Sequence, residues 1–435
     1  MFSQRSLRNK RLNVVVIRRV SVAVLASAVA GLALAGIAAA AVPTDPLVGQ
    51  EWWRADVRVD TLEPPGPGMP VTLVDTGVDF SHPEFAGRPN LIALDNQEPA
   101  PIGGVHGTAT ASVIGAPENG VGLVGIYPQA VIRTYDASLG DGTQLPASEI
   151  AAGINAAASG GRTVINLSLG GADPDPAIDA AIRRAVAGGS LVVAAAGNSG
   201  EEGDWLTYPA ADPHVFTVGA TDENDLPATF TTTSQYVDIA APGVDIPVAD
   251  ALTNGWDAED GTSFSAPIVA GAAAWLWTVR PQLDASQVAE ILRETARDVA
   301  APGYDTATGY GILDMTAALA APTPQADSAE PNDTTATATT IATRARPAAT
   351  TSGRVEQYED PADVLRIWLP AKRKVTAKVK SGGVSVTLAG VKGTGANFSV
   401  SVRNRTKTGH AAFLTVKPGS GVRDVVYSVA LSVSK

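Results

Sequence analysis

The chain has 435 residues, a formal net charge of −12 and no cysteine, which leaves room for two or three domains and excludes disulfides and any thiol nucleophile. Its acidic balance argues against nucleic acid and anionic lipid headgroups as partners, because like charges repel. The charge is also divided: residues 42–326 carry 36 acidic and 10 basic side chains with no lysine, whereas 327–435 carry 8 acidic and 16 basic. Two differently built domains are expected, the basic one suited to docking on the acidic one or on an anionic cell-wall polymer.

Arg5, Arg8, Lys10, Arg11, Arg18 and Arg19 precede an apolar run over 20–41 that closes on small residues before Pro43. This order predicts a secretory signal over residues 1–41, cut near 39–41, and hence an extracellular protein. The run is also long enough for a membrane-retained signal anchor. From 69 onward, apolar strands are expected at 71–75, 131–135, 163–169, 191–196, 215–220 and 237–241, with helices at 147–158, 176–187, 266–279 and 285–296. Continuous apolar strands alternating with helices predict an α/β domain over 42–321, a mostly parallel sheet flanked by helices. A Pro/Thr/Ala-rich stretch over 322–353 reads as a flexible linker. Alternating runs at 375–379, 384–388, 398–402, 413–416 and 425–433 predict a small all-β sandwich over 354–435.

Four short segments carry the chemistry. Gly261-Thr-Ser263-Phe-Ser-Ala-Pro267 runs into an apolar helix, which sets a serine hydroxyl beside the free N–H groups of a helix start, although serine there can also merely cap. Val71-Thr-Leu-Val-Asp75-Thr-Gly ends an apolar strand on a carboxylate, costly to hold there unless something uses it; Asp before Thr-Gly is also ordinary turn chemistry. Among His82, His106, His214 and His410, the ring of His106 is followed by Gly-Thr-Ala-Thr-Ala-Ser, small residues that let a helix start pack closely; the other three suit structural or solvent-facing places. Leu191-Val-Val-Ala-Ala-Ala-Gly-Asn198 ends a strand on an amide, which can serve as a donor or as a left-handed cap. A hydroxyl, an imidazole, a carboxylate and a neutral donor are the parts that acyl transfer needs.

The order Asp75, His106, Asn198, Ser263 and these flanking words resemble the subtilisin-like serine peptidases, over about 46–321. The resemblance implies a Ser263/His106/Asp75 triad, Asn198 as oxyanion donor and a polypeptide substrate lying along Ser168, Leu169 and Gly170. Gly142 and Thr143 would form a second edge, and Ala195, Ala196 and Gly197 the pocket wall, with Thr207 near its floor. With no buried charge evident there, apolar or uncharged P1 residues are expected. No cofactor is required for the chemistry, and a monomer is expected. Structural calcium is implied near Glu84 and Asn119, though Glu84 stands where the family often has Asp. Other departures are the absence of a second histidine after His106, Phe264-Ser265 where Met-Ala is commoner, and a stretch of only about thirty residues between the expected signal and Asp75, too short for the usual prosegment. Glu330-Pro-Asn-Asp333 followed by Asp360-Pro-Ala-Asp363 resembles the opening of bacterial pre-peptidase C-terminal (PPC-type) domains.

Overall fold

The structure, a computed structural model, describes residues 45–95, 105–139, 144–327, 330–358 and 360–435. The expected signal at 1–41, and Gly142 and Thr143, lie outside the described residues.

The first unit runs α1 (Trp52–Asp56), β1 (Val71–Asp75), β2 (Leu91–Ala93), α2 (Val105–Gly115), β3 (Ile132–Asp136), α3 (Ala147–Ser159), β4 (Val164–Leu167), α4 (Pro176–Ala187), β5 (Leu191–Ala195), β6 (Val215–Thr221) and β7 (Val237–Pro242). A hairpin, β8 (Ile246–Asp250) and β9 (Gly255–Glu259), then leads into α5 (Thr262–Val279), α6 (Ala285–Glu294) and α7 (Met315–Ala320). Seven strands pair in the order β2-β3-β1-β4-β5-β6-β7, every pair parallel. Strands β1, β4, β5, β6 and β7 are buried at each residue, which is why they read as unbroken apolar runs. Successive side chains serve opposite faces. Leu73 and Val193 pack with α2, α5 and α6, while Val74 and Val192 pack with α3 and α4.

Helix α5 is buried over 262–277. Among the described residues it is the helix long and apolar enough to cross a membrane, and it is enclosed by protein instead. It starts four residues earlier than its sequence suggests, so Pro267 lies inside the helix. Proline there removes the N–H that would reach the carbonyl of residue 263. That carbonyl is satisfied otherwise, since Ser168 Oγ donates to Ser263 O at 2.8 Å.

The second unit comprises β10 (Thr339–Thr340), β11 (Ala349–Glu356), β12 (Asp363–Leu369), β13 (Lys374–Leu388), β14 (Val391–Arg403), β15 (His410–Pro418) and β16 (Asp424–Ser434). The order is β10-β12-β15-β13-β16-β11, with β14 on β13. Strand β13 pairs with β16 in its first half and with β15 in its second, so the sheet folds over an apolar core that includes Val355, Val386, Leu414 and Val429. The two runs expected at 375–379 and 384–388 are one strand. A bulge between Lys380 and Val384 joins them, and Gly383, at φ +142, supplies backbone that other residues avoid.

The described residues of the stretch 322–353 are tied down at several points. Arg280 donates to Ala321 O and Thr323 Oγ1, Gln287 Nε2 to Pro324 O, and the Asp327 amide to Ser286 Oγ. β10 and the first residues of β11 also fall within it. Composition hides this because the partners belong to the other domain.

Candidate active site

Asp75, the last residue of β1, is buried. Its Oδ1 lies 2.8 Å from His106 Nδ1 and accepts the Thr76 N–H at 2.7 Å. Thr110 Oγ1 stands 3.4 Å from Oδ2. His106 rides on the first turn of α2, whose approach to the turn after β1 depends on a missing side chain. A Cβ on Gly107 would stand 2.0 Å from Gly77 O. The Gly107 N–H donates to Thr76 Oγ1 at 3.0 Å, pinning helix to turn.

Burial opposes the charged form of His106, but the Asp75 carboxylate, by charge and hydrogen bond, and Glu259 more distantly, outweigh it and raise its pKa above the ordinary histidine value. Its ring packs against that of Phe264, centroids 6.0 Å apart. The imidazole is thereby placed beside the first turn of α5, where Ser263 follows Thr262. Ser263 is buried to 8 % exposure, its Oγ 3.4 Å from Ser168 O.

Asn198 also converges here. Its Oδ1 accepts from the Thr262 amide at 3.0 Å and from Thr262 Oγ1 at 2.9 Å, while Thr262 Oγ1 takes the Gly197 N–H at 3.1 Å. An amide whose oxygen is occupied twice has its NH2 end fixed. That end is near Gly261, 3.4 Å from where a Cβ would stand. Thr262 was not singled out by sequence, because its partner lies 64 positions away and no spacing rule connects them.

Ser168, Leu169 and Gly170 extend beyond β4, and Ala195, Ala196 and Gly197 end and leave β5. Asn166 Nδ2 donates to Ser168 Oγ, which donates to Ser263 O, so the segment after β4 is bonded to the start of α5. Cβ atoms built on Gly170 and Gly197 would meet Thr207 at 2.3 and 2.1 Å. Thr207 therefore stands between the two segments.

The remaining histidines have other neighbours. His82 is buried, accepts the Glu84 N–H on Nδ1 and donates from Nε2 to Gly255 O; burial lowers its pKa. His214 pairs with Asp333 at 3.1 Å, and His410 is exposed in the C-terminal domain. Glu84 and Asn119 do come near each other, with Asn119 Nδ2 3.5 Å from Glu84 O. Their side-chain oxygens, however, face N–H donors: Glu84 Oε2 takes Leu123 N and Trp256 Nε1, and Asn119 Oδ1 takes Val121 N. Asp45 Oδ1 takes three amides of the same loop. These oxygens are thus engaged by N–H donors, whereas a hard cation would call on six to eight oxygens; within this group, Glu84 Oε1 is buried without a hydrogen-bond partner.

A family model described as the subtilase family matches residues 66–311. Subtilisin DY of Bacillus licheniformis is 35% identical over 258 residues, covering 58% of this chain and 91% of that protein. Subtilisin of Bacillus pumilus is 34% identical over 259 residues, covering 58% and 91%. The fold is shared with the psychrophilic subtilisin-like protease Apa1 of Pseudoalteromonas sp. AS-11, at TM-score 0.56 and 20% identity over 62% of this chain and 97% of that one. The match over more than half of the sequence, and the nearly end-to-end coverage of these relatives, mean that the chain belongs to the subtilase family and is a serine-type endopeptidase.

Proposed function

We propose that this endopeptidase works through Ser263, His106 and Asp75. Neutral His106 accepts the Ser263 proton as Oγ attacks the peptide carbonyl. Asp75 holds the imidazole tautomer and stabilises the imidazolium. The side-chain NH2 of Asn198 and the Ser263 N–H bind the tetrahedral oxyanion. His106 then protonates the leaving amine, and water on the same base releases the acyl group. The observation that carries the reading is the 2.8 Å Asp75–His106 bond on a ring packed against Phe264, the neighbour of Ser263. No metal enters any step.

The substrate is an extended polypeptide that pairs with residues 168–170 by backbone hydrogen bonds. Its P1 side chain enters between that segment and 195–197. Thr207 between them supports a preference for apolar or uncharged P1 residues. The basic and apolar leader supports export. The C-terminal domain serves as an accessory module, and its basic surface favours anionic partners such as a cell-wall polymer.

Labelling with a fluorophosphonate tests the chemistry: the parent is expected to label, and Ser263→Ala to lose the label while remaining folded. An unlabelled, folded parent would refute the assignment. Digestion of a denatured protein mixture, read by mass spectrometry, tests the P1 preference, and equal cleavage after acidic residues would contradict it.

A further inference from the structure

Residues 364–423 carry 12 lysines and arginines and not one aspartate or glutamate. Strand pairing gathers several of these cations on a single surface, because side chains alternate along a strand and paired residues share a face. Val375, Ala377 and Val379 of β13 enter the core of the C-terminal domain. Lys374, Lys378 and Lys380 therefore stand on the outer face, and all three are exposed. Lys374 pairs with Arg403 of β14. Beyond the bulge the same face continues through Thr387, paired with Lys392, and Ser385, paired with Lys417 of β15.

No carboxylate side chain lies on β13, β14 or β15 to offset this charge. Hydroxyls and an amide fill the places between the cations. Lys378 pairs with Ser399, and Lys380 with Asn397 and Ser428, while Thr376 Oγ1 meets Ser401 Oγ at 2.8 Å. Ala430, opposite Lys378, is the apolar side chain in these rows. Arg403 spends one N–H on Lys435 O at 2.8 Å. The joint with the peptidase lies at the other end of the strands, where Arg354 meets Glu290 and Arg423 meets Gln235. Lys374 faces Ser434, at the far end of β16 from Asp424, a strand length of roughly 30 Å. The Debye length at physiological salt is about 8 Å, so the acidic charge of the peptidase is screened from this end.

We propose that this outer face of β13, β14 and β15 binds a phosphodiester-linked polymer of sugars or polyols, laid along the row from Lys374 to Lys380. The proposal rests on the reading of this domain as an accessory module for anionic partners, and it names the surface and the ligand. Apart from Arg403 the cations of the face are lysines. A lysine ammonium is a compact point charge that meets phosphate oxygens from any direction, whereas carboxylates favour the planar fork of arginine. The neighbouring hydroxyls and amide suit a polymer that carries hydroxyls between its charges. A second protein copy would call for an apolar centre to the interface, and single-stranded nucleic acid for aromatic platforms under its bases. Neither is offered here, since Phe398 of β14 packs against the core.

The test uses the full chain bearing Ser263→Ala to prevent self-digestion, titrated by calorimetry with soluble poly(glycerol phosphate) at several salt concentrations. Binding that weakens with salt is expected. Combining Lys374→Gln, Lys378→Gln and Lys380→Gln should cut affinity at least tenfold and flatten the slope of log K against log salt by about 2, with Tm unchanged. Combining Lys372→Gln, Arg405→Gln and Lys407→Gln removes the same charge from the turns and should cost less than threefold. Equal losses from the two triple variants would overturn the assignment to this face while leaving the accessory-module reading in place. Polygalacturonate, duplex DNA and phosphatidylglycerol vesicles are titrated alongside, and tighter binding to any of them would overturn the choice of ligand. Absence of binding to all four polyanions would overturn the module reading as well. Self-association of the parent that the first triple variant abolishes would give the face to a second copy and sink the proposal. If that variant does not fold, Lys378→Gln with Lys380→Gln is read by the same titrations.

Discussion

Thr262 holds Asn198 by two hydrogen bonds to one oxygen, so its effect on turnover passes through another residue. Asn198→Ala should lower kcat about 10²–10³-fold, the loss measured when such a donor is removed from a subtilisin. Thr262→Val should cost less and leave KM nearly unchanged, because the amide stays but turns freely; steady-state kinetics on a chromogenic peptide would separate the two. The raised pKa of His106 has a definite sign. The proposed mechanism needs the neutral ring, so activity should fall as pH drops through the folded pKa, and the acid limb of kcat/KM should lie above the ordinary histidine value of 6.5. Glu259→Gln, which removes one of the charges raising it, should move that limb to lower pH. The residues of the proposed triad could be singled out at this scale because each stands in a distinctive short context. The contacts that orient them could not, since the pairing of Thr262 with Asn198 and the ring contact of His106 with Phe264 are made by tertiary packing.

At the level of elements, the central strands and long helices could be read within a few residues from apolar runs, because β1 and β4–β7 are covered on both faces. The hairpin β8–β9 escaped: β8 is mostly buried while β9 is largely exposed, and neither gives a clean alternation. The early start of α5 escaped as well, because Pro267 suggests a helix start and the hydroxyl that replaces its missing hydrogen bond comes from residue 168. Ser168→Ala should leave Ser263 O without that partner and destabilise the protein by about 1–3 kcal/mol, read as a lower denaturant midpoint. Gly107→Ala should do more. A methyl group 2.0 Å from a backbone oxygen forces α2 away from β1, so the Asp75–His106 bond and activity should be lost together, with circular dichroism reporting whether the fold survives.

For the molecule as a whole, the unequal charge of the two halves announced two units, but not that they are joined by ion pairs such as Arg354–Glu290 at 2.6 Å. Buried carboxylates also set its response to alkali. Burial pushes Glu51 up to about 8 from 4.5. Between those values the unfolded chain has released a proton that the folded chain keeps, so stability falls as pH rises through the window and levels off above it. Glu51→Gln should remove that slope, giving a larger gain in urea midpoint at pH 9 than at pH 5.

Asp75, Ser168 and Asn198 stand at or beyond the carboxyl ends of their strands, whereas the C-terminal domain reaches His214 and Gln235, just before β6 and β7 begin. In a parallel sheet these are opposite rims. The accessory module thus sits behind the sheet and leaves the rim that carries Asp75, Ser168 and Asn198 uncovered.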